Sequence, residues 1–235
     1  MKTLVVTGGT KGLGREISLA FARTGYYVVA LYSSDDTAAE ELKNALDRLK
    51  PGGCVLRQDV CSVEPDVWDR KEIQDAESLV LLHNACAAFA PVPMHQLGWE
   101  DFEKNFRVAV KGAWDCTLPL LRLMVKKGGG TVVNVLTSAV SGMPPKGFAA
   151  YVTAKHALHG FTLALAVEYS ARKIRVFSVS PGYMDTPLTE KWDARLRDTI
   201  RAASDRISVP ADAAARILAL VEDKDFSGGG EDRPV

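Results

Sequence analysis

Apolar positions along the chain follow two alternating rhythms. Continuous apolar runs stand at residues 3–7, 26–32, 54–58, 78–83, 131–136 and 174–179, each bounded by glycine, proline or polar residues. Such runs mark strands covered on both faces, as in a parallel sheet. Between them the spacing turns helical, with Ile17, Leu19, Ala20 and Phe21 in 15–24, Phe102, Phe106, Val110, Trp114 and Leu118 in 99–127, and Leu158, Phe161, Leu165 and Tyr169 in 148–172. Asp35 and Asp36 stand where they would cap a helix running to Leu49, which Pro51-Gly52-Gly53 ends. Pro119 is expected to bend the long helical stretch. Residues 64–76 are short and polar, a stunted helix, and 210–222 open with the proline that suits a first helical turn. Residues 226–230 read as a last short strand before a polar tail expected to be mobile. Alternating strands and helices predict one α/β domain over 1–235 with a doubly wound parallel sheet of about seven strands, helices on both faces.

Composition narrows what such a fold does. The 235 residues are 47% hydrophobic and 25% charged, enough apolar material for a large core. Lys+Arg and Asp+Glu number 29 each, so no net field attracts nucleic acid or an acidic membrane, and a small ligand is the simpler partner. Cys54, Cys61, Cys86 and Cys116 form no C-x-x-C pair and have no histidine at zinc-finger spacing, so neither a metal nor a disulfide framework is expected. Met1-Lys2 leads straight into the first run without a signal-peptide core, and no apolar run reaches the ~18 residues of a membrane span. A cytoplasmic protein with reduced thiols is the expectation.

The first strand and helix are joined by Thr7-Gly8-Gly9-Thr10-Lys11-Gly12-Leu13-Gly14. Glycines there let the backbone approach a pyrophosphate, and a helix N-terminus offers free N–H groups and a positive dipole end. Gly8, Thr10, Lys11, Gly12, Leu13 and Gly14 are therefore candidate cofactor contacts. The second strand ends at Tyr32, followed by Ser33 and Ser34, with no carboxylate where a dinucleotide fold would grip the ribose of NAD.

Tyr151-Val152-Thr153-Ala154-Lys155 sets a phenol and an ammonium four residues apart, on one helix face. A cation so close is expected to lower the tyrosine pKa from about 10 and to make its proton exchangeable with a substrate oxygen. Ser138, near the end of the fifth strand, is the hydroxyl expected to bond that oxygen. Tyr169 and Lys173 repeat the spacing at the helix's far end, away from the strand ends where α/β ligands gather, and read as filler.

Thr7-Gly8-x-x-x-Gly12-x-Gly14 together with Tyr151-x-x-x-Lys155 resembles the classical short-chain dehydrogenase/reductase family across nearly the whole chain. The resemblance implies an oxidoreductase interconverting a ketone and a secondary alcohol, with Tyr151 as proton donor, Ser138 orienting the oxygen and Lys155 holding the nicotinamide ribose. It implies that Asp59-Val60 contacts adenine, that Asn84-Ala85 lies beside the nicotinamide ribose, and that Pro181, Gly182 and Thr186 flank the nicotinamide. Ser33, Ser34 and Lys11, the last facing a 2′-phosphate, favour NADP(H) over NAD(H), while Asp35 and Asp36, if they reach the ribose instead of only capping the helix, keep NAD(H) open. Within the family the pattern is most similar to 3-oxoacyl-carrier-protein reductases, implying a carbonyl or alcohol substrate that a carrier could present, a cap over it at 188–208, and a homodimer or homotetramer. Three residues depart from the family pattern: His83 and Cys86 flank Asn84-Ala85 where asparagine and glycine are usual, and Ala109 takes the place of a helix asparagine. Asn105, one turn earlier, is a candidate substitute for that asparagine, although a surface or capping role suits it as well. These departures keep open an alternative, a nucleotide-binding regulatory or scaffold protein with little turnover.

Overall fold

The structure, a computed structural model, describes residues 1–190, 192–204 and 207–235. In chain order it runs β1 (Lys2–Thr7), α1 (Gly12–Arg23), β2 (Tyr27–Tyr32), α2 (Asp36–Leu46), β3 (Gly53–Arg57), α3 (Lys71–Gln74), β4 (Ser78–His83), α4 (Trp99–Phe106), α5 (Gly112–Lys127), β5 (Gly130–Val135), α6 (Ala149–Tyr169), β6 (Ile174–Ser180), α7 (Pro187–Glu190), α8 (Ala194–Ala202), α9 (Pro210–Glu222) and β7 (Asp232–Pro234). All seven strands join one parallel sheet in the order β3-β2-β1-β4-β5-β6-β7. This is the doubly wound α/β fold.

The apolar runs are continuous because successive strand residues point to opposite faces and both faces are covered. Leu4, Val6, Val28, Ala30 and Phe177 pack on one face with Ile17 and Phe21 of α1 and Ile217 of α9. Val5, Val29, Leu31, Leu81 and Val176 pack on the other with Leu120 and Met124 of α5 and Leu165 of α6. Full burial of each such side chain stabilises the fold by about 1.5–3 kcal/mol. The chain steps outward from β1 to β3 and then crosses to β4 on the other side of β1, which opens a crevice at the carboxyl ends of these two strands. Thr7 pins that crevice: its hydroxyl accepts the N–H groups of Asn84 and Ala85, each at 3.1 Å.

Four segments depart from the sequence pattern. The long helical stretch is divided by a π-helical segment, Arg107–Lys111, between α4 and α5, and Pro119 lies inside α5. The helix capped by Asp35, whose carboxylate accepts Ala38 N–H at 3.0 Å, stops at Leu46 rather than Leu49. The last strand is Asp232–Pro234, not 226–230, because Gly228, Gly229 and Gly230 adopt φ of +81°, +41° and +79°, which no strand contains. Nor is the tail loose: Asp232 accepts hydrogen bonds from Ser178 (2.9 Å) and Ser180 (2.7 Å), and Val235 is buried. The Val235 carbonyl accepts from the Ser208 hydroxyl at 2.9 Å, and that hydroxyl in turn accepts Gly182 N–H at 3.0 Å. The region expected to cap the substrate carries α7 and α8; its residues 191, 205 and 206 lie outside the described residues.

Candidate active site

A cavity of about 790 Å³ runs along the crevice at the strand ends. At its centre lie Gly8, Thr10, Lys11, Gly12 and Leu13. Gly8 (φ +62°) and Gly12 (φ +51°) hold left-handed conformations that leave the loop without a Cβ on its inner surface. Gly14 does not line the cavity. A Cβ there would fall 2.0 Å from the Gly8 carbonyl oxygen and 2.5 Å from the Asn84 amide, so this glycine lets α1 press against the loop. The first turn of α1 has no side-chain cap and no acidic residue, which leaves its N–H groups and positive dipole end to an anion. A dinucleotide's pyrophosphate fits these residues.

Toward β2 the walls are polar and exposed. Ser33, Ser34, Asp59 and Val60 line the cavity here. Asp59 also closes its own turn by accepting Cys61 N–H at 2.9 Å. The Lys11 ammonium, which the sequence reading aims at a 2′-phosphate, bonds the Asp35 carboxylate at 2.8 Å. Lys11 and the Ala38 N–H hold the Asp35 carboxyl below its ordinary pKa. Tyr32 donates to Asp36 at 2.9 Å, and Arg57 reaches the Ser33 carbonyl at 3.3 Å and Asp36 at 3.5 Å.

Toward β4, β5 and β6 the cavity is lined by Asn84, Ala85, Tyr151, Lys155, Pro181, Gly182 and Thr186. Asn84 donates its side-chain amide to the carbonyls of Thr7 (3.3 Å) and Gly8 (3.0 Å), fastening the glycine loop to β4. Thr186 faces the loop across the gap, 3.4 Å from where a Gly12 Cβ would stand. Tyr151 and Lys155 project from the first turns of α6; the buried ammonium donates to the Val135 carbonyl at 2.7 Å and sits 5.8 Å from the Tyr151 ring centre. The tyrosine pKa is raised, not lowered as the sequence implied: burial pushes it up, the nearby Cys86 thiol adds to this, and a hydrogen bond from Thr137 opposes it. Burial likewise pushes the Lys155 pKa down. Desolvation outweighs the pairing of phenol and ammonium because aromatic rings cover Tyr151. Phe89 stacks on Tyr151, and the Trp192 indole N–H holds the Phe89 carbonyl at 2.7 Å.

Of the adjacent residues Thr137 and Ser138, it is Thr137 that lines the cavity with Tyr151. Ser138 begins a short 3-10 turn, donates its N–H to the Pro181 carbonyl at 2.8 Å, and exposes its side chain outside the cavity lining. The thiol of Cys86 lines the cavity. His83 is buried against the Thr117 hydroxyl at 2.9 Å, and burial, then the Lys155 charge, hold its pKa at about 3, so it stays neutral. Ala109 is buried in the π-helical segment, and Asn105, also buried, turns its amide back to the Asp101 carbonyl at 2.8 Å. Lys173, the second half of the repeated Tyr-Lys spacing, has left the helix with φ +57°. Among the described residues, no group of three or more His, Cys, Asp or Glu side chains is arranged to hold a metal, and no helix is long and apolar enough to cross a membrane.

The family model for short chain dehydrogenases matches residues 2–197. The chain belongs to the short-chain dehydrogenase family. It is 30% identical to an acetoacetyl-CoA reductase of Allochromatium vinosum over 239 residues, 98% of this chain and 95% of that protein. Among solved structures, it superposes with TM-score 0.83 and 25% identity on a Beutenbergia cavernae protein described as an NAD(P)-dependent gluconate 5-dehydrogenase, which holds NADP at low occupancy; 99% of this chain and 94% of that one are covered. A 3-ketoacyl-(acyl-carrier-protein) reductase from Brucella melitensis complexed with NADH shares the fold at TM-score 0.85 and 24% identity, over 100% and 96% of the chains. In this short-chain dehydrogenase the strand-end crevice brings together the glycine loop, Asn84 and the Tyr151-Lys155 pair, while Phe89, Phe148, Trp192 and Thr137 complete the surroundings of Tyr151. Sequence reading missed those four as site residues. Helical spacing carried a signal for Phe148 alone, three residues before Tyr151.

Proposed function

We propose that this oxidoreductase is NADP(H)-dependent and reduces a ketone to a secondary alcohol. The observation that carries the reading is the pairing of Tyr151 with Lys155 at one end of a cavity whose middle offers a bare helix N-terminus. A reduced nicotinamide bound there supplies the hydride. Gly8, Thr10, Gly12 and Leu13, with the first turn of α1, bind the pyrophosphate; Asp59 and Val60 border the adenine; Asn84, Ala85, Pro181, Gly182 and Thr186 frame the ribose and ring. Tyr151, its pKa raised, keeps its proton at neutral pH and gives it to the carbonyl oxygen, which suits reduction over oxidation. Lys155, braced by Val135, bonds the ribose and steadies the charge that forms on Tyr151. The orienting hydroxyl comes from the Thr137-Ser138 corner, with Ser138 as the residue the family resemblance implies. Lys11 in the cavity lining and the absence of a carboxylate at Tyr32 support the phosphorylated cofactor.

The test is direct. Purified protein with NADPH and a panel of ketones should consume the cofactor, and Tyr151→Phe should abolish this while leaving NADPH binding intact. The resemblance and the acetoacetyl-CoA-reducing relative point to 3-oxoacyl thioesters as the finer substrate class; nothing around Tyr151 adds support for that step. Exposed Trp114, Leu163 and Val167 on α5 and α6 support a homodimer or homotetramer, and a cytoplasmic location completes the proposal. The second reading, a nucleotide-binding regulator with the same fold, draws on the ring stacked over Tyr151; tight NADPH binding without turnover of any ketone would favour it.

A further inference from the structure

Tyr151 is covered by the protein's own aromatic rings. Phe89 lies flat upon it, with centroids 4.5 Å and planes 13° apart. Phe148 meets both edge-on, 5.3 Å from Phe89 and 5.9 Å from Tyr151. Trp192 closes a third side, 5.3 Å from Phe89 and 5.6 Å from Phe148. The walls are fixed differently from the ring they enclose. Phe148 caps the N-terminus of α6 and is buried, and Trp192 is buried with its indole N–H bonded. Phe89, half-buried, rides on an irregular stretch between exposed Ala88 and Ala90, where its backbone carbonyl accepts the Trp192 indole N–H. The cavity reaches Tyr151 and Lys155 and stops there; none of the three covering rings lines it. The Phe89 ring thus fills space next to Tyr151 that the cavity does not include.

We propose that Phe89 is an internal plug of the substrate seat, and that the substrate is a flat aryl ketone whose ring takes the slot Phe89 vacates, with its carbonyl at the cavity end beside the Tyr151 hydroxyl. This rests on the ketone-reductase reading above. A six-membered ring is what the slot already accommodates, and stacked and edge-on aromatic contacts reward a ring over a flexible chain. The mouth argues the same way against a polyanionic carrier. Glu100 and Glu103 line it along with Lys104 and Arg107. On α8, Arg201 is held by Asp185 at 3.1 Å and Arg197 by the Glu190 carbonyl at 3.4 Å. In the reaction the carbonyl carbon takes a hydride from the reduced nicotinamide and the oxygen takes the Tyr151 proton; the products are a secondary alcohol and the oxidised nicotinamide, and water restores the tyrosine proton.

The experiment measures initial rates at saturating NADPH with acetophenone, a tetralone, a straight-chain methyl ketone and an acetoacetyl thioester. The aryl ketones should exceed both linear substrates by about tenfold or more in kcat/KM. Phe89→Ala should lower KM for the aryl ketones by up to about tenfold, the worth of one aromatic contact, and leave KM for NADPH unchanged. Phe89→Leu, which keeps more of the apolar volume, should do so more weakly and guards against misfolding of the alanine variant. A thioester preferred over aryl ketones, or a Phe89→Ala variant with KM raised for every ketone, would overturn the proposal. If no ketone is reduced, the enzymatic reading fails separately, and the slot is judged by titrating acetophenone into protein loaded with oxidised NADP while following tryptophan fluorescence. A change that disappears in Trp192→Phe supports the slot; no change in the unsubstituted protein refutes it.

Discussion

The two ends of the cavity are built on opposite principles. The end toward β2 is a rim of exposed charges, Lys11, Asp35, Arg57 and Asp36, joined in pairs that solvent screens. The Tyr151 end is desolvated: Tyr151, Lys155 and Cys86 share a pocket closed by Phe89, Phe148 and Trp192, and burial dominates their titration. An exposed ion pair contributes little to stability and can be exchanged for a ligand phosphate at small cost, so the first end is suited to selecting a cofactor. A half-buried phenol whose pKa desolvation has raised holds its proton until a substrate oxygen arrives, so the second is suited to chemistry.

The sharpest way to break this contrast is Tyr151→Phe, which keeps the ring stack with Phe89 and removes only the proton. Turnover should fall by about 10²–10⁴, with an unchanged NADPH dissociation constant by fluorescence titration; a small loss would mean that the buried end does not supply the acid. Next come the two adjacent hydroxyls. Loss of the one that bonds the developing oxyanion should cost about 10²-fold or more in kcat. Thr137→Val and Ser138→Ala, compared side by side, assign it, and Ser138 is expected to carry the larger effect only if the Thr137-Ser138 corner turns when Phe89 leaves.

How much of this was readable beforehand follows the same division. Strand runs, the glycine loop and the Tyr151-Lys155 spacing depend on neighbours within a few residues, so sequence order alone exposes them. The stacked ring could not be foreseen, since Phe89, Phe148 and Trp192 come from three separate segments joined only by folding. That juxtaposition also reversed the expected pKa shift of Tyr151: spacing reports the nearby ammonium but not the water that has been removed. The tail was misread for a related reason. Asp232 looks solvated in a polar string, and only the β6 pairing reveals the two serine hydroxyls that hold it.

At the exposed end the expected effects are smaller. Lys11→Ala should weaken NADPH binding by about tenfold, the worth of a charge-assisted hydrogen bond, and leave NADH nearly untouched. Asp35→Asn, which retains the helix cap, should free the ammonium and shift preference the other way. Titration calorimetry with both cofactors reads each outcome. Equal losses for NADPH and NADH would show that Lys11 does not discriminate between them.

The smallest effect concerns stability at the buried end. His83 is held neutral, its folded pKa of about 3 lying below the ordinary 6.5. Between those values the unfolded chain binds a proton that the folded chain refuses, so stability is retained above 6.5 and lost as pH falls toward 3, by at most about 1.4 kcal/mol per pH unit. Urea midpoints taken from about pH 7 down to 5 should decline less steeply in His83→Gln, which can still bond Thr117. Parallel slopes would assign the acid sensitivity to other groups.

The hydroxyl of Ser208 receives Gly182 N–H and gives its own proton to the Val235 carbonyl, so the chain end beyond the edge strand and the Pro181-Gly182 segment of the cavity wall are fastened to one another by a single side chain. Proteolytic clipping at the outermost strand would therefore register first as a slackened grip on the coenzyme, with the central strands still intact.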